Sequence, residues 1–173
     1  DRFGPVSQEE LAALSGKETE LWIQTKNGYC VHVFEERPEA LPDRAPILLN
    51  FHGGGFLKGR TDRERRYCCA VMEATNALVW DVDYSLAPEK PFPYAAEESY
   101  GIIQYVFEHA EELCIDPEKI MLAGHSAGGN LVASALVKNA ETKAFHPCCA
   151  LMEYFPTDNT ANTVERLSEE LKQ

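Results

Sequence analysis

The stretch IMLAGHSAGG at residues 120–129 decides the fold, because it changes from a strand pattern to a helix pattern at a single serine. The unbroken apolar run at 120–123 predicts a buried strand, and residues 128–139 carry apolar side chains at helical spacing. Gly-x-Ser-x-Gly in this context is typical of a nucleophile elbow, a turn so sharp that the serine hydroxyl projects clear of the sheet. The pattern therefore predicts Ser126 as a catalytic nucleophile beside a helix N-terminus, whose dipole favours negative charge.

The stretch HGGGF at residues 52–56 directly follows a second short apolar run, Ile47–Phe51. Its three glycines leave backbone N–H groups uncovered, and acyl transfer needs such donors to stabilise the oxyanion of the tetrahedral intermediate. A Walker-type phosphate loop would continue with Gly-Lys-Ser or Gly-Lys-Thr, which this stretch does not. Because both motifs follow predicted strands, we expect both at the carboxyl edge of one sheet.

Strand and helix patterns alternate along the chain. Asn27-Gly28 between two apolar runs predicts a hairpin of Leu21–Thr25 and Tyr29–Phe34. The other predicted strands are Ile47–Phe51, Ala77–Val82, Ile120–Ala123 and Cys148–Phe155; the predicted helices are Thr61–Thr75, Tyr94–Leu113, Gly128–Asn139 and Asn162–Lys172; and the predicted loops are residues 35–46, 85–93 and 114–119. This alternation predicts a mostly parallel α/β sheet with helices on both faces, in one domain over residues 1–173.

The composition narrows the classes of function. The 173 residues carry a net charge of −12, which disfavours binding to nucleic acid or to anionic lipid. No apolar run approaches the roughly 20 residues of a membrane span. Six cysteines lack Cys-x-x-Cys spacing, so we predict no metal site and expect buried free thiols in a reducing, cytoplasmic setting.

Four stretches in this order resemble the hormone-sensitive-lipase-like esterases of the α/β-hydrolase fold: HGGG at 52–55, DYSLAPE at 83–89, FP at 92–93 and GHSAGG at 124–129. The resemblance implies hydrolysis of a small-molecule ester with a short or medium acyl chain, without a metal or cofactor. It implies Ser126 as the nucleophile, with oxyanion N–H groups from Gly54, Gly55 and Ala127. The sequence departs from the family at His125, where Asp is frequent, and at Ser85, where Arg is usual.

The resemblance leaves the general base unassigned. In this fold the triad runs in the order Ser, acid, His, and in the resembled family the last two lie farther along than Gln173. His146 precedes the last predicted strand and is expected at the opposite edge of the sheet. We interpret His52 as ordering the glycine turn and Asp158 as structural support at the end of that strand.

The same reasoning predicts that the fold is truncated after its sixth strand, with residues 1–20 as the remnant of a cap. The Cys148–Phe155 run is apolar throughout and therefore calls for a neighbour on each edge. Either a further C-terminal segment or a second copy in a homo-oligomer would complete the sheet. Two other functions stay open: a non-catalytic small-molecule binder on this fold, and a peptidase of related fold.

Overall fold

A computed structural model of the chain describes residues 6–14 and 17–157. The strands are β1 Lys17–Gln24, β2 Cys30–Arg37, β3 Ala45–Phe51, β4 Leu78–Asp83, β5 Ile115–His125 and β6 Cys149–Glu153, and the helices are α1 Gln8–Ala12, α2 Asp62–Thr75, α3 Tyr94–Glu108 and α4 Ala127–Thr142. The described strands form one sheet in the order β1-β2-β4-β3-β5-β6. The β1/β2 and β2/β4 pairings are antiparallel, and the β4/β3, β3/β5 and β5/β6 pairings are parallel.

Apolar side chains cover both faces of this sheet. On one face, Ile47, Leu49 and Phe51 of β3 belong to a large cluster with side chains of α3 and α4. On the other face, Leu48 of β3 belongs to a smaller cluster with Cys68 and Met72 of α2 and with side chains of β4 and β5. Alternate residues of β3 thus pack against helices on opposite faces of the sheet. This confirms the predicted mostly parallel sheet with helices on both faces.

The Asn-Gly hairpin forms where the sequence predicts it. Thr25 donates its N–H to the carbonyl of Tyr29 at 2.8 Å, and Gly28 closes the turn with a φ of 91°. A positive φ at this position explains the glycine. The amide of Asn27 reaches out to the carbonyl of Glu97 at 2.9 Å, which fastens the hairpin to α3.

The predicted loop at residues 35–46 is wrong at its start, because β2 continues to Arg37. Glu35 is buried and accepts hydrogen bonds from the Trp80 indole N–H and from the Arg37 guanidinium, both at 2.8 Å. Glu36 is also buried, with the Arg65 guanidinium 3.5 Å away. The sequence predicts a loop here because Trp80 and Arg65, which accompany the two acidic side chains in the fold, come from distant segments.

The predicted turn at residues 114–119 is also wrong, since β5 begins at Ile115. Ile115 pairs with Ala45, and an irregularity then separates this pair from the next one, Ile47 with Ile120. The helix before it ends at Glu108 rather than at the predicted Leu113. Cys114, with a φ of 57°, follows this end and redirects the chain into β5.

The remaining predicted elements agree with the structure to within a few residues. The last described strand is shorter than predicted because Tyr154, with a φ of 39°, departs from the extended backbone. The helix predicted at Asn162–Lys172 and the residue Asp158 lie outside the described residues. The short helix α1 falls within residues 1–20, whose interpretation as a cap remnant stays a prediction, as does the single catalytic domain.

The cysteines divide into two groups. All six are free thiols; Cys68 and Cys69 are buried in α2, as expected, whereas Cys148 and Cys149 are exposed at the start of the edge strand, as are Cys30 and Cys114. Burial is thus wrong for four of them, which lie at or beside the first residue of a strand, away from the helices that cover the sheet. Within the described residues, no helix is long and apolar enough to cross a membrane.

Candidate active site

Ser126 lies in the one-residue turn between β5 and α4. Its φ of 51° and ψ of −114° are uncommon for a residue with a side chain and carry a strain of order 1–3 kcal/mol. Two hydrogen bonds hold this backbone: the Ser126 N–H donates to the carbonyl of Glu153 at 2.9 Å, and the Ser126 carbonyl accepts from the N–H of Asn130 at 3.1 Å. The strand-to-helix elbow that the sequence predicts is therefore present, braced by the end of β6.

Glycines flank the serine because other chains pass very close. A Cβ on Gly124 would lie 2.5 Å from the carbonyl of Gly128, and a Cβ on Gly128 would collide with the carbonyl of Phe51. The first turn of α4 can therefore rest on the end of β3 only where no side chain intervenes. This contact joins the elbow to the segment that carries the glycine triplet.

The glycine triplet lies directly against the elbow. A Cβ on Gly53 would lie 3.5 Å from the Cβ of Ser126 and 3.2 Å from the carbonyl oxygen of His125. The next two glycines have positive φ values, 132° for Gly54 and 63° for Gly55, in a region that glycine enters at little cost. The structure thus brings together the two motifs that are more than seventy positions apart in the sequence.

The carbonyl groups of the turn determine where its N–H groups point. In a planar trans peptide, C=O and N–H point in opposite directions. The Gly53 carbonyl accepts from the His52 ring at 2.7 Å, and the Gly54 carbonyl accepts from the N–H groups of Leu57 at 3.2 Å and Lys58 at 3.1 Å. The N–H groups of Gly54 and Gly55 consequently point away from these partners, and neither has a protein acceptor among the described residues.

Ala127 supplies a third free N–H. It is the first residue of α4, and the first N–H groups of a helix have no intrahelical acceptor. Its position directly after Ser126 places this donor at the positive end of the helix dipole. Gly54, Gly55 and Ala127 are therefore available donors beside the serine; their role as an oxyanion hole remains a prediction.

His52 is completely buried behind the glycine turn. Its ring stacks on Tyr84 with 4.3 Å between the centroids, and the Tyr84 hydroxyl donates to the His52 carbonyl at 2.7 Å. The Nδ1–H of His52 faces the Gly53 carbonyl rather than the serine. This placement is compatible with the interpretation that His52 orders the turn.

The DYSLAPE stretch at residues 83–89, which begins at the last residue of β4, makes a contact that the sequence did not predict. Ser85 donates both its N–H, at 2.7 Å, and its hydroxyl, at 2.6 Å, to the buried carboxylate of Glu98 in α3. In the resembled family an arginine is usual at position 85. Here a serine, with a backbone N–H, satisfies the carboxylate instead.

A cavity of about 410 Å³ opens beside the site. Gly55 of the glycine turn and Asn130 of the first turn of α4 both belong to its wall, so it adjoins the elbow. The rest of the wall is mainly apolar: Phe56, Leu57, Ala87, Phe92, Ala95, Ala96 and Leu131, with Ser85, Lys90 and Ser134. A mainly apolar cavity with a few polar groups suits a small organic ligand.

None of the five histidines, all within the described residues, has a hydrogen bond to the Ser126 hydroxyl. His125 faces away, with its Nδ1 3.2 Å from Glu153 and its ring 4.9 Å from the Tyr67 ring. His146 is 75% exposed beside Glu118, ahead of β6. Nor do the described residues contain a group of three or more His, Cys, Asp or Glu side chains arranged to hold a metal.

Comparison with known proteins gives consistent results. Residues 48–172 match the family described as the alpha/beta hydrolase fold. The chain is 34% identical over 169 residues to an AB hydrolase superfamily protein of Schizosaccharomyces pombe, covering 96% of the chain and 48% of that protein. It is 36% identical over 104 residues to hormone-sensitive lipase of Homo sapiens, covering 60% of the chain and 10% of the lipase.

Among solved structures, a bacterial heroin esterase superposes with a TM-score of 0.81 at 32% identity, over 92% of the chain and 51% of that protein. The chain spans about half the length of this esterase and of the yeast relative. The matched region contains both motifs and every described residue of the site.

Proposed function

The chain belongs to the hormone-sensitive-lipase-like family of α/β hydrolases, and on this premise we propose that it carries the nucleophile and oxyanion hole of a serine carboxylesterase. The substrate is a small ester with a short or medium acyl chain. The observation that carries the proposal is the strained Ser126, with its φ of 51°, lying against Gly53 beside three N–H groups that have no acceptor in the part of the chain that the structure describes.

In the proposed reaction the Ser126 hydroxyl attacks the carbonyl carbon of the ester, and its proton passes to a general base. The carbonyl oxygen becomes an oxyanion that accepts from the N–H groups of Gly54, Gly55 and Ala127. Collapse of the tetrahedral intermediate breaks the bond to the alcohol oxygen, which leaves with the proton from the base. Water then attacks the acyl group on Ser126 by the same route and releases the carboxylic acid.

The proposal requires a base from outside the described residues, since none of the five histidines, all described, has a hydrogen bond to the Ser126 hydroxyl. It follows that the described residues by themselves support at most weak turnover. This requirement also keeps a second candidate open: a non-catalytic protein that binds a small molecule in the same cavity. The two candidates differ in whether Ser126 reacts.

A fluorophosphonate probe distinguishes them. In the full-length protein we expect covalent labelling that maps to Ser126, loss of labelling in Ser126→Ala, and a fall in ester turnover on the order of 10⁶-fold in that variant. Ser7→Ala is the matched control, because Ser7 only caps α1 and should retain full labelling. A folded full-length protein in which Ser126 remains unlabelled would contradict the esterase and favour the binder.

Substrate comparison tests the class of ester. Turnover should be higher on acetyl and butyryl esters than on long-chain esters, and higher on esters than on the matching aminoacyl amides. Preferential cleavage of the amides would instead identify a peptidase of related fold.

A further inference from the structure

Asp83, the last residue of β4, lies between two histidines from the strands on either side. Its Oδ2 is 3.0 Å from Nδ1 of His32 on β2, and its Oδ1 is 3.7 Å from Nε2 of His52, which follows β3. The first distance is a hydrogen bond; the second is an electrostatic contact slightly too long for one. The strand order β2-β4-β3 creates this arrangement, with His32 directly opposite Asp83 in the ladder.

The outer nitrogens of the two rings also face oxygen atoms. Nδ1 of His52 is 2.7 Å from the Gly53 carbonyl, and Nε2 of His32 is 3.3 Å from the carboxylate of Glu20. A continuous line of polar groups therefore runs from the glycine turn to the surface. The side chains at the two ends of this line differ in exposure, with 0% at His52 and 63% at Glu20.

The His52 ring faces an oxygen atom at both of its nitrogens, and this arrangement suits the charged form of that ring. A neutral imidazole has one N–H and one lone pair, whereas the imidazolium has two N–H donors. A neutral His52 would turn a lone pair either toward the Gly53 carbonyl or toward the Asp83 carboxylate. Nε2 of His52 is fully buried and has no hydrogen-bond partner among the described residues; the Asp83 carboxylate, 3.7 Å away, compensates it through its charge.

Neighbouring charges also favour the charged form of His52. Burial by itself lowers the pKa of His52, but the Asp83 carboxylate, the Gly53 carbonyl and the charge of Asp81 together raise it above its ordinary value. The His52 cation in turn lowers the pKa of Asp83 more than burial raises it.

The other groups nearby leave Asp83 as the main counter-ion of His52. Asp81 is already bound by Arg60 and Asn50. Tyr84 stacks on His52 and keeps its proton, because burial and the charges of Glu64 and the two aspartates raise its pKa.

His32 is held in a defined orientation. Its ring stacks on Trp22 at 4.2 Å and lies 4.5 Å from the Phe34 ring, which also has the Arg60 guanidinium 4.0 Å from its centroid. Glu20 faces it from β1. A ring fixed in this way can direct the Asp83 carboxylate, which is 30% exposed and could otherwise turn toward water.

We propose that Asp83 and His32 are positioning residues for the glycine turn. His32 orients Asp83, and Asp83 keeps His52 as an imidazolium. The imidazolium donates a hydrogen bond to the Gly53 carbonyl, so that the Gly54 N–H points at the reacting oxygen. The last step rests on the proposed esterase function; the earlier steps do not. Loss of the His52 proton at high pH loosens the turn. Turnover should therefore fall at high pH as His52 loses its proton. This fall is distinct from the fall at low pH that comes from protonation of the general base.

Proton-detected NMR of the ¹⁵N-labelled chain tests the proposal without any turnover. The His52 ring should remain protonated above pH 6.5, the ordinary pKa of histidine, and the Gly54 amide resonance should shift with the same midpoint. Asp83→Asn should lower that midpoint by about one pH unit or more, as expected when an opposite charge a few ångströms away is removed. His146→Gln, at an exposed site away from the turn, is the control and should leave it unchanged.

Two variants separate orientation from packing. His32→Leu keeps an apolar body between Trp22 and Phe34 but cannot direct Asp83, so the His52 midpoint should fall. His32→Gln retains a donor to Asp83 and should restore it. A His52 ring already neutral at pH 6.5, an unchanged midpoint in Asp83→Asn, or equal behaviour of the two His32 variants would overturn the proposal. An unlabelled Ser126 would overturn only the esterase function.

Discussion

At the scale of single residues, the site depends on backbone conformations and close approaches that few residue types permit. Ser126 holds a φ of 51° and Gly55 a φ of 63°, and the start of α4 touches the carbonyl of Phe51 through Gly128. The glycines at 55 and 128 are needed for different reasons. Gly55 has open space around its Cα but an unusual backbone, whereas Gly128 has an ordinary helical backbone but no space.

This difference leads to a prediction for two matched variants. Gly128→Ala should lower the free energy of unfolding by about 3 kcal/mol or more, because the new methyl group meets backbone atoms that cannot move aside. Gly55→Ala should cost only about 1–2 kcal/mol, the penalty of a positive φ. Urea denaturation of both variants measures the two values. Equal losses would show that the contact with Phe51 does not limit position 128.

At the scale of secondary-structure elements, a cluster of buried and half-buried charges links the β1–β2 hairpin to α2. Glu18 and Glu36 are directly opposite each other across the two strands. Arg65 of α2 approaches both carboxylates, and Arg60 binds Glu18 and Asp81. Burial raises the pKa of Glu36 to about 7, and the negative charge of the facing Glu18 is the second largest cause.

A raised pKa in an acid means that the folded state binds the proton more tightly than the unfolded chain does. Stability from this group is therefore complete at pH values below about 4.5 and is lost progressively as the pH rises to about 7. Glu36→Gln, which mimics the protonated form, should raise the free energy of unfolding by up to about 3 kcal/mol above pH 7. It should have little effect below pH 4.5.

Urea midpoints of Glu36→Gln across this pH range measure the effect. Glu39→Gln in the exposed loop after β2 is the matched control and should follow the unmodified chain. A Glu36→Gln variant that is less stable at neutral pH would show that the ionised carboxylate, paired with Arg65, is the stabilising form.

At the scale of the whole molecule, both faces of the sheet are covered, and the described strands end in two edge strands, β1 and β6. β6 pairs with β5 and has no second strand partner among the residues that the structure describes. Leu151 in β6 is 49% exposed and Tyr154 just after it is 77% exposed. An apolar edge strand of this kind is a template for pairing with another strand.

We therefore expect the 173-residue chain to self-associate through β6 in a concentration-dependent way. Leu151→Lys should reduce the weight-average mass in sedimentation equilibrium toward the 19.4 kDa of one chain, since a charge on an edge strand opposes pairing. Val137→Lys is the matched control: Val137 is 73% exposed, but on the outer face of α4. A monomer at all concentrations would contradict the prediction.

Local sequence was sufficient for the two motifs and for most elements. Ser126 and the glycines at 53–55 could be located without coordinates, because a strand-to-helix turn and an uncovered peptide each demand particular residue types in consecutive positions. The type of nearly every helix and strand followed from apolar spacing in the same way. The carboxyl-edge rule for parallel strands then placed the two motifs near each other.

Only the tertiary structure decided which distant side chains became partners. The line from Gly53 through His52, Asp83 and His32 to Glu20 depends on β4 lying between β2 and β3, and nothing in the local pattern encodes that order. The burial of Glu35 and Glu36 depends likewise on Trp80 and Arg65. Periodicity reports what one segment prefers by itself, whereas the environment of a charge is set by the segments that fold against it.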